Sequence, residues 1–363
     1  TPPTGFLANC AGNMPISDDI DPAQTDTDYP GKQFNAVTYT GNGSTVNVTG
    51  VGFQPDFVWL KMRSPHSYNH MMFDTNRGVT KHISSDRTNS EYTTASSLTS
   101  FDSDGFTYGS EASGNDNGDS FIAWCWKANG GTTASNTSGD INSTTQANTK
   151  SGFSIVTYTG NGSVAQSIGH DLSSGAPELI FVKNRSQSDA WAVYHVSTGN
   201  AAHLILDTDA AQTTSSAYWG SFTPTTSLFK VGSDHKLNAS GENYVAYLWH
   251  GVEGYSKFGS FKGNANNNGP YIRTGFRPRL LFIKNSGGQS PWTVYDGVRD
   301  GYNASTSPKQ LFWNGTETDH TSYPLDILSN GFKLRTSNAT VNASNTWIYG
   351  AWGDVPFKYN NTF

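Results

Sequence analysis

Charge is scarce in this chain. Only 14% of residues are charged, with 23 Lys and Arg against 29 Asp and Glu, a formal net charge of −6 and a pI near 5.8. Clustered cations are what neutralises phosphates, and no Lys/Arg stripe occurs, so a nucleic-acid partner is excluded. Two cysteines, Cys10 and Cys125, cannot scaffold 363 residues. Cys125 reads as a small buried hydrophobe on the strand face opposite Trp124 and Trp126, with a bridge to Cys10 as the alternative. No apolar run approaches the roughly 20 residues a membrane-crossing helix needs, and Thr1-Pro2-Pro3 does not start a signal peptide. The absence of an initiator methionine suggests a processed or excised piece of something longer. Helix-forming periodicity is missing too. Neither G-x-S-x-G nor a phosphate loop appears, so a cofactor is not expected.

What is abundant is Gly (38), ten Trp, seventeen Tyr and twenty Phe, among Ser, Thr and Asn. Three stretches organise these residues: Gly52 to Lys61 (GFQPDFVWLK), Gly175 to Lys183 (GAPELIFVK) and Gly275 to Lys284 (GFRPRLLFIK). Each runs from Gly through Pro (Pro55, Pro177, Pro278) and one charged residue into four apolar residues, including Trp59, Phe181 and Phe282, closed by Lys. Proline suits the mouth of a strand, where no ladder bond is yet needed. A run apolar on both faces belongs in an interior covered from two sides.

The repetition extends further. FNAVTYTGNGS (Phe34 to Ser44) matches FSIVTYTGNGS (Phe153 to Ser163), with a weaker copy at Phe258 to Asn264. A strand built around Phe follows in each unit, at Phe106, Phe229 and Phe332. Each unit closes with an aromatic strand: FIAWCWK, YVAYLWH and WIYGAW, containing Trp126, Trp249 and Trp352. The predicted fold is all-β: three tandem β-sandwich repeats of about 100 residues, arranged as a pseudo-threefold cluster, with a row of domains as the alternative. The predicted divisions are an extended lead-in over 1–32, repeat 1 over 33–128, a Ser/Thr/Asn/Gly-rich linker or extended arm over 129–150, repeat 2 over 151–250 and repeat 3 over 251–363. TGNG at Thr40 and Thr159 predicts hairpin turns, because Asn and Gly tolerate φ > 0.

Catalytic constellations are sparse. His66 and His70 have the i, i+4 spacing of a helical zinc pair, but a proline intervenes between Arg63 and His66 and no third ligand follows. The carboxylate pairs Asp102/Asp104 and Asp116/Asp119, which a glycosidase would need, sit in ordinary turn sequences. A weak Ca²⁺ candidate, Asn115, Asn117 and Asp119, lacks the sixth-position Gly and distal Glu of an EF-hand, so a plain turn is preferred. Trp191, Trp219, Trp292 and Trp313 lie outside the core strands, and each is a candidate for stacking on a sugar; packing between sheets is the plainer reading.

TPPTGFLANCAGNMP, FNAVTYTGNG, GFQPDFVWLK, FDSDGFTYG, FIAWCWKANG, GFSIVTYTGNG, NYVAYLW, GYSKFGSFKGN and LSNGFKLRTSN together resemble a family of repeat-containing virion proteins of tailed bacteriophages from aquatic bacteria. The resemblance covers almost the whole chain. It implies a tail-fibre-like or decorating protein on the virion exterior and carries over no catalytic residue. Expected partners are other virion proteins, further copies of the chain and host-surface glycan. The function expected is a non-enzymatic structural component of the particle. The alternatives are a carbohydrate-binding lectin-type module and a polysaccharide depolymerase.

Overall fold

The computed structural model describes residues 30–300, 303 and 308–353. Cys10 and the lead-in, apart from Pro30–Lys32, lie outside them. The chain is predominantly β, with 42% of residues in strands and 6% in helix. Among the described residues the four α-helices are single turns of four residues, the last being Ala339–Asn342.

Three large sheets share one strand order. In the first, the opening strand Phe34–Thr40 pairs with the closing strand Ser120–Trp126, which pairs with the core strand Phe57–Ser64, followed by Met71–Asp74. The second repeats this with Phe153–Thr159, Asn243–Trp249, Leu179–Asn184 and Ala192–His195. The third does so with Ser256–Lys262, Thr346–Gly353, Pro278–Asn285 and Thr293–Asp296. Each large sheet is accompanied by a small one containing the Phe strand: Val46–Val48, Gly105–Tyr108 and Leu98–Asp102; then Gln166–Gly169 and Leu228–Val231; then Tyr271–Arg273, Gly331–Leu334 and Leu325–Leu328.

The core strands are apolar on both faces because each face has its own core. Phe57, Trp59, Phe181, Leu280 and Phe282 enter one cluster common to all three sets of strands. The alternating residues Val58 and Leu60, Ile180 and Val182, and Leu281 and Ile283 enter three separate clusters beneath the small sheets. Pro55, Pro177 and Pro278 are buried at the strand mouths. Cys125, a free and fully buried thiol, takes the outer face while Trp124 and Trp126 take the common core. At the centre Trp126, Trp249 and Trp352 form a triangle with ring centroids 5.6–5.9 Å apart and interplanar angles of 63–76°. Their indole N–H groups find no conventional acceptor among the described residues. Near-perpendicular rings are the arrangement in which one positive edge meets a neighbour's π face.

One expectation is corrected and one open alternative is decided. TGNG is not a two-residue hairpin: Phe34–Thr40 and Val46–Val48 belong to different sheets, so the turn carries the chain from one layer to the other. A buried Asn amide locks each such turn. Asn115 Oδ1 accepts from Asn42 N (2.8 Å), Asn238 Oδ1 from Asn161 N (2.8 Å) and Asn342 Oδ1 from Asn264 N (2.9 Å). Of the two readings of 129–150, linker or extended arm, the strands found there correspond to the arm. Asp56 accepts the N–H groups of Ala128, Gly130 and Gly131, and Ala134–Asn136 then pairs with Ser143–Asn148, which adds to the outer edge of Phe153–Thr159. Thr and Gln serve in an edge strand whose ladder, rather than apolar periodicity, holds it.

Candidate functional site

The four tryptophans expected to stack on sugars are interior. Trp191, Trp219, Trp292 and Trp313 expose 0%, 2%, 0% and 1% of their surface, so none offers a face to a ligand from solvent. Trp191, Trp292 and Trp313 belong to the common core and Trp219 to the second outer cluster. The sequence placed them outside the repeated strands correctly, but the segments that carry Trp191, Trp292 and Trp313 fold inward to the common core, and the turn Ser216–Trp219 folds into the second set's own core.

The chemistry concentrates at the three seams between neighbouring sets, and its central element, a buried lysine, is the same each time. The Lys that closes each core strand is fully buried and reaches into the neighbouring set. Lys61 Nζ donates to Tyr68 O and to Thr316 O, both at 2.9 Å; Lys183 Nζ donates to Asp189 O (2.5 Å) and Thr88 O (2.9 Å); Lys284 Nζ donates to Ser290 O (2.6 Å) and Asp209 O (2.8 Å). An ammonium has three donors and no acceptor, so it can fasten two carbonyl-rich loops at one point. Burial lowers all three amines to about 8. Two residues beyond each Lys, a backbone carbonyl accepts from the neighbour's loop: Arg63 O from Asp319 N (2.9 Å), Arg185 O from Glu91 N (3.0 Å) and Ser286 O from Gln212 N (3.1 Å).

A ring N–H repeats the pattern. Trp191 Nε1 donates to Ser84 O (2.8 Å) and Trp292 Nε1 to Ile205 O (3.1 Å). His70 occupies the corresponding place before Met71–Asp74: Trp59 Nε1 donates to its Nδ1 (2.9 Å), which leaves Nε2–H for Phe312 O (2.9 Å). Desolvation holds His70 well below the usual imidazole range. His66 and His70 therefore do not form a zinc pair, because His70 is spent inside a seam.

Two seams carry a charge ladder, fully buried at its Asp–Arg end and partly exposed at the other. Asp74, Arg77, Glu91 and Arg185 are joined at 2.5, 3.2 and 2.9 Å, with the Tyr247 hydroxyl donating to Asp74 (2.7 Å). Asp296, Arg299, Asp319 and Arg63 are joined at 2.6, 2.9 and 2.9 Å, with Trp124 Nε1 donating to Asp296 (3.3 Å). Between the second and third sets His195 replaces the aspartate. Ser197 N donates to His195 Nδ1 (3.1 Å), so Nε2–H donates to Tyr349 O (3.1 Å).

One cluster outside the seams has metal-ligand chemistry. His66 Nδ1 lies 2.8 Å from Asp119 Oδ2 and 4.0 Å from Asp116 Oδ2, and the ligand atoms of the three sit within 4.8 Å of one another. One nitrogen and two oxygens would suit Zn²⁺ or Mn²⁺ rather than an all-oxygen Ca²⁺ cage. The Asp119 carboxylate, hydrogen-bonded to His66, raises the imidazole. The proposed Ca²⁺ set is dispersed: Asn115 is fully buried and committed to Asn42, Ser44 and Gly109, Asn117 is exposed, and only Asp119 joins this cluster. Asp102 and Asp104 are turn staples: Asp102 accepts the Ser100 and Thr107 hydroxyls, and Asp104 the N–H groups of Gly50 and Gly52.

Fold and contacts define a predominantly β protein in which three like-ordered large sheets surround one aromatic core and its polar chemistry binds the sets to each other. The chain belongs to the family described as a domain of unknown function (DUF7483), which it matches over residues 29–356. No curated protein and no solved structure matches it. Among the described residues no helix is long and apolar enough to cross a membrane.

Proposed function

We propose that the chain is a non-enzymatic structural component of a phage virion exterior, tail fibre or decoration. In this reading it is built from three tandem β-sandwich repeats, 33–128, 151–250 and 251–363, closed about a pseudo-threefold axis. The observation that carries the structural role is the recurrence of the buried lysine at all three seams, each tying one repeat to the next and the third back to the first. A heterologous contact repeated head to tail gives a closed ring when the rotation closes, and closure leaves no terminal interface unsatisfied. Such an object resists shear and heat through packing, which is what a particle appendage needs. The virion location rests on the sequence resemblance, with other virion proteins as partners.

The test is composition and chemistry together. Mass spectrometry of density-purified particles is expected to find this chain at a fixed copy number, and purified protein mixed with host lipopolysaccharide and capsule is expected to release no new reducing ends. Absence from particles would overturn the location; liberated oligosaccharide would overturn the non-enzymatic reading and favour a depolymerase.

A further inference from the structure

The three opening strands differ on their outer sides. In the second set Gly160 N donates to Glu242 O and His250 N to Gly152 O, so the bonded pairs with the closing strand fall on even residues, and Phe153, Ile155 and Thr157 turn their backbone groups outward. Ser143–Asn148 takes them, antiparallel, from Ser143 opposite Tyr158 to Asn148 opposite Phe153. The same arm reaches the small sheet, with Ile141 N donating to Ser167 O (3.0 Å) and Ser143 Oγ to Gly169 O (2.8 Å). One polar strand thereby seals the flank between two layers.

In the first set the flank is crossed by the chain's own side chains: Lys32 Nζ donates to Gly52 O (2.8 Å) and Asn35 Nδ2 to Val51 O (3.1 Å). In the third set Lys257 Nζ crosses it once, donating to Arg273 O (3.1 Å), and Val252 takes both backbone groups of Ser256; from Phe258 onward the edge is open. Gly263 N donates to Asn345 O, so Phe258, Ser260 and Lys262 turn their backbone groups away from the closing strand, and among the described residues no strand pairs there. A cavity of about 480 Å³ lies at the Ser256–Phe258 end of this edge, between Lys257 and Phe258 on one wall and Arg273, Thr274 and Phe276 on the other. Ile272 opposite Phe332 corresponds to Ile168 opposite Phe229, so the second wall is the counterpart of the one the arm touches.

We propose that this groove is a strand-acceptor site, taking an extended, uncharged Ser/Thr/Asn-rich segment of another protein chain as an antiparallel strand beside residues 258–262, whose outward backbone groups are those of Phe258, Ser260 and Lys262. The argument for that occupant is internal: the equivalent groove one set earlier is filled by STTQAN, residues 143–148. Main-chain bonds to alternate residues supply affinity in such augmentation, and side chains of alternating direction supply selection. The cavity lining holds two carboxylates, Glu178 and Glu253, and two cations, Lys257 and Arg273, so its formal charges balance and a guest needs none of its own. An edge left open would otherwise be a liability to non-specific pairing.

The probe is a fluorescein-labelled peptide of this chain's own residues 138–150, titrated into the full chain and followed by anisotropy and by amide hydrogen exchange. Saturable binding is expected, with exchange at residues 258–262 slowed about tenfold or more and residues 34–40 unchanged. Ser260→Pro removes one outward donor and is expected to abolish binding. Because that substitution can also disturb the strand, a second probe leaves the protein intact: the same peptide N-methylated at the amides that face the groove is expected not to bind. No slowing at 258–262 with millimolar peptide, slowing at 34–40 instead, or equal binding by the N-methylated peptide would each overturn the proposal. It rests on the fold rather than on the virion location, so its failure leaves the particle-composition test untouched.

Discussion

The three seam lysines are the residues on which the arrangement depends most. Each has an amine lowered to about 8 from 10.5, so the folded state gives up protons that the unfolded chain still holds. A lowered amine costs stability while charged, and stability rises as pH climbs from about 8 towards 10. Above that the unfolded tyrosines ionise while buried ones, such as Tyr247 and Tyr295, stay neutral, and the gain reverses. Urea unfolding at pH 7.5, 8.5 and 9.5 is expected to show a rising midpoint, and Lys284→Met to flatten the rise by its share. At pH 7.5 that variant leaves Asp209 O and Ser290 O without their donor and is expected to cost about 1–3 kcal/mol. Acid acts through imidazole. His195, lowered by burial to about 4, must accept a proton on Nδ1 exactly where Ser197 N already points a hydrogen, so stability present above 6.5 is lost as pH falls from 6.5 towards 4. His195→Asn is expected to shallow that acid limb in a pH series of thermal unfolding.

At the scale of elements, the turn-locking asparagines and the small-sheet hairpins decide layer spacing. Asn238→Ala removes the acceptor for Asn161 N and the donor to Ser163 O, and is expected to cost about 1–3 kcal/mol, read as a lowered urea midpoint with unchanged slope. Gly105 has φ 153° and a Cβ there would sit 1.9 Å from Val48 O, so Gly105→Ala is expected to destabilise by about 2 kcal/mol or more in the same assay. Much of this level was readable beforehand. The Pro-led apolar runs are core strands, and their two-faced apolarity corresponds to two cores. TGNG misled because a turn signal fixes backbone geometry locally but not whether the chain returns to the same sheet. Between linker and arm over 129–150 the sequence did not decide, because the arm's order comes from ladder bonds and from Asp56, neither of which leaves an apolar period. The recurrent Lys at the end of each core strand was visible; its purpose was not, since its acceptors are backbone carbonyls on loops of a different set.

For the molecule as a whole, one aromatic core shared by three sets makes them interdependent. Calorimetry of the full chain is expected to show a single transition with van't Hoff and calorimetric enthalpies in agreement, and residues 151–250 expressed alone are expected to lack a cooperative transition, because Phe153, Phe181 and Trp249 would face water. The charge ladders fall where the covalent connection is weakest. The second and third sets are joined by the short stretch after Trp249 and use His195; the third and first have no direct link and use Asp296, Arg299, Asp319 and Arg63. Time adds a further demand. Lys61 and its acceptor Thr316 are 255 residues apart, so at ribosomal rates of about 5–20 residues per second the first lysine waits on the order of 10–50 s for its partner to be made. During synthesis the inner aromatic faces of the early sets stay uncovered, and the yield of intact protein is set by how well the nascent chain is shielded in that interval rather than by the melting temperature it finally reaches.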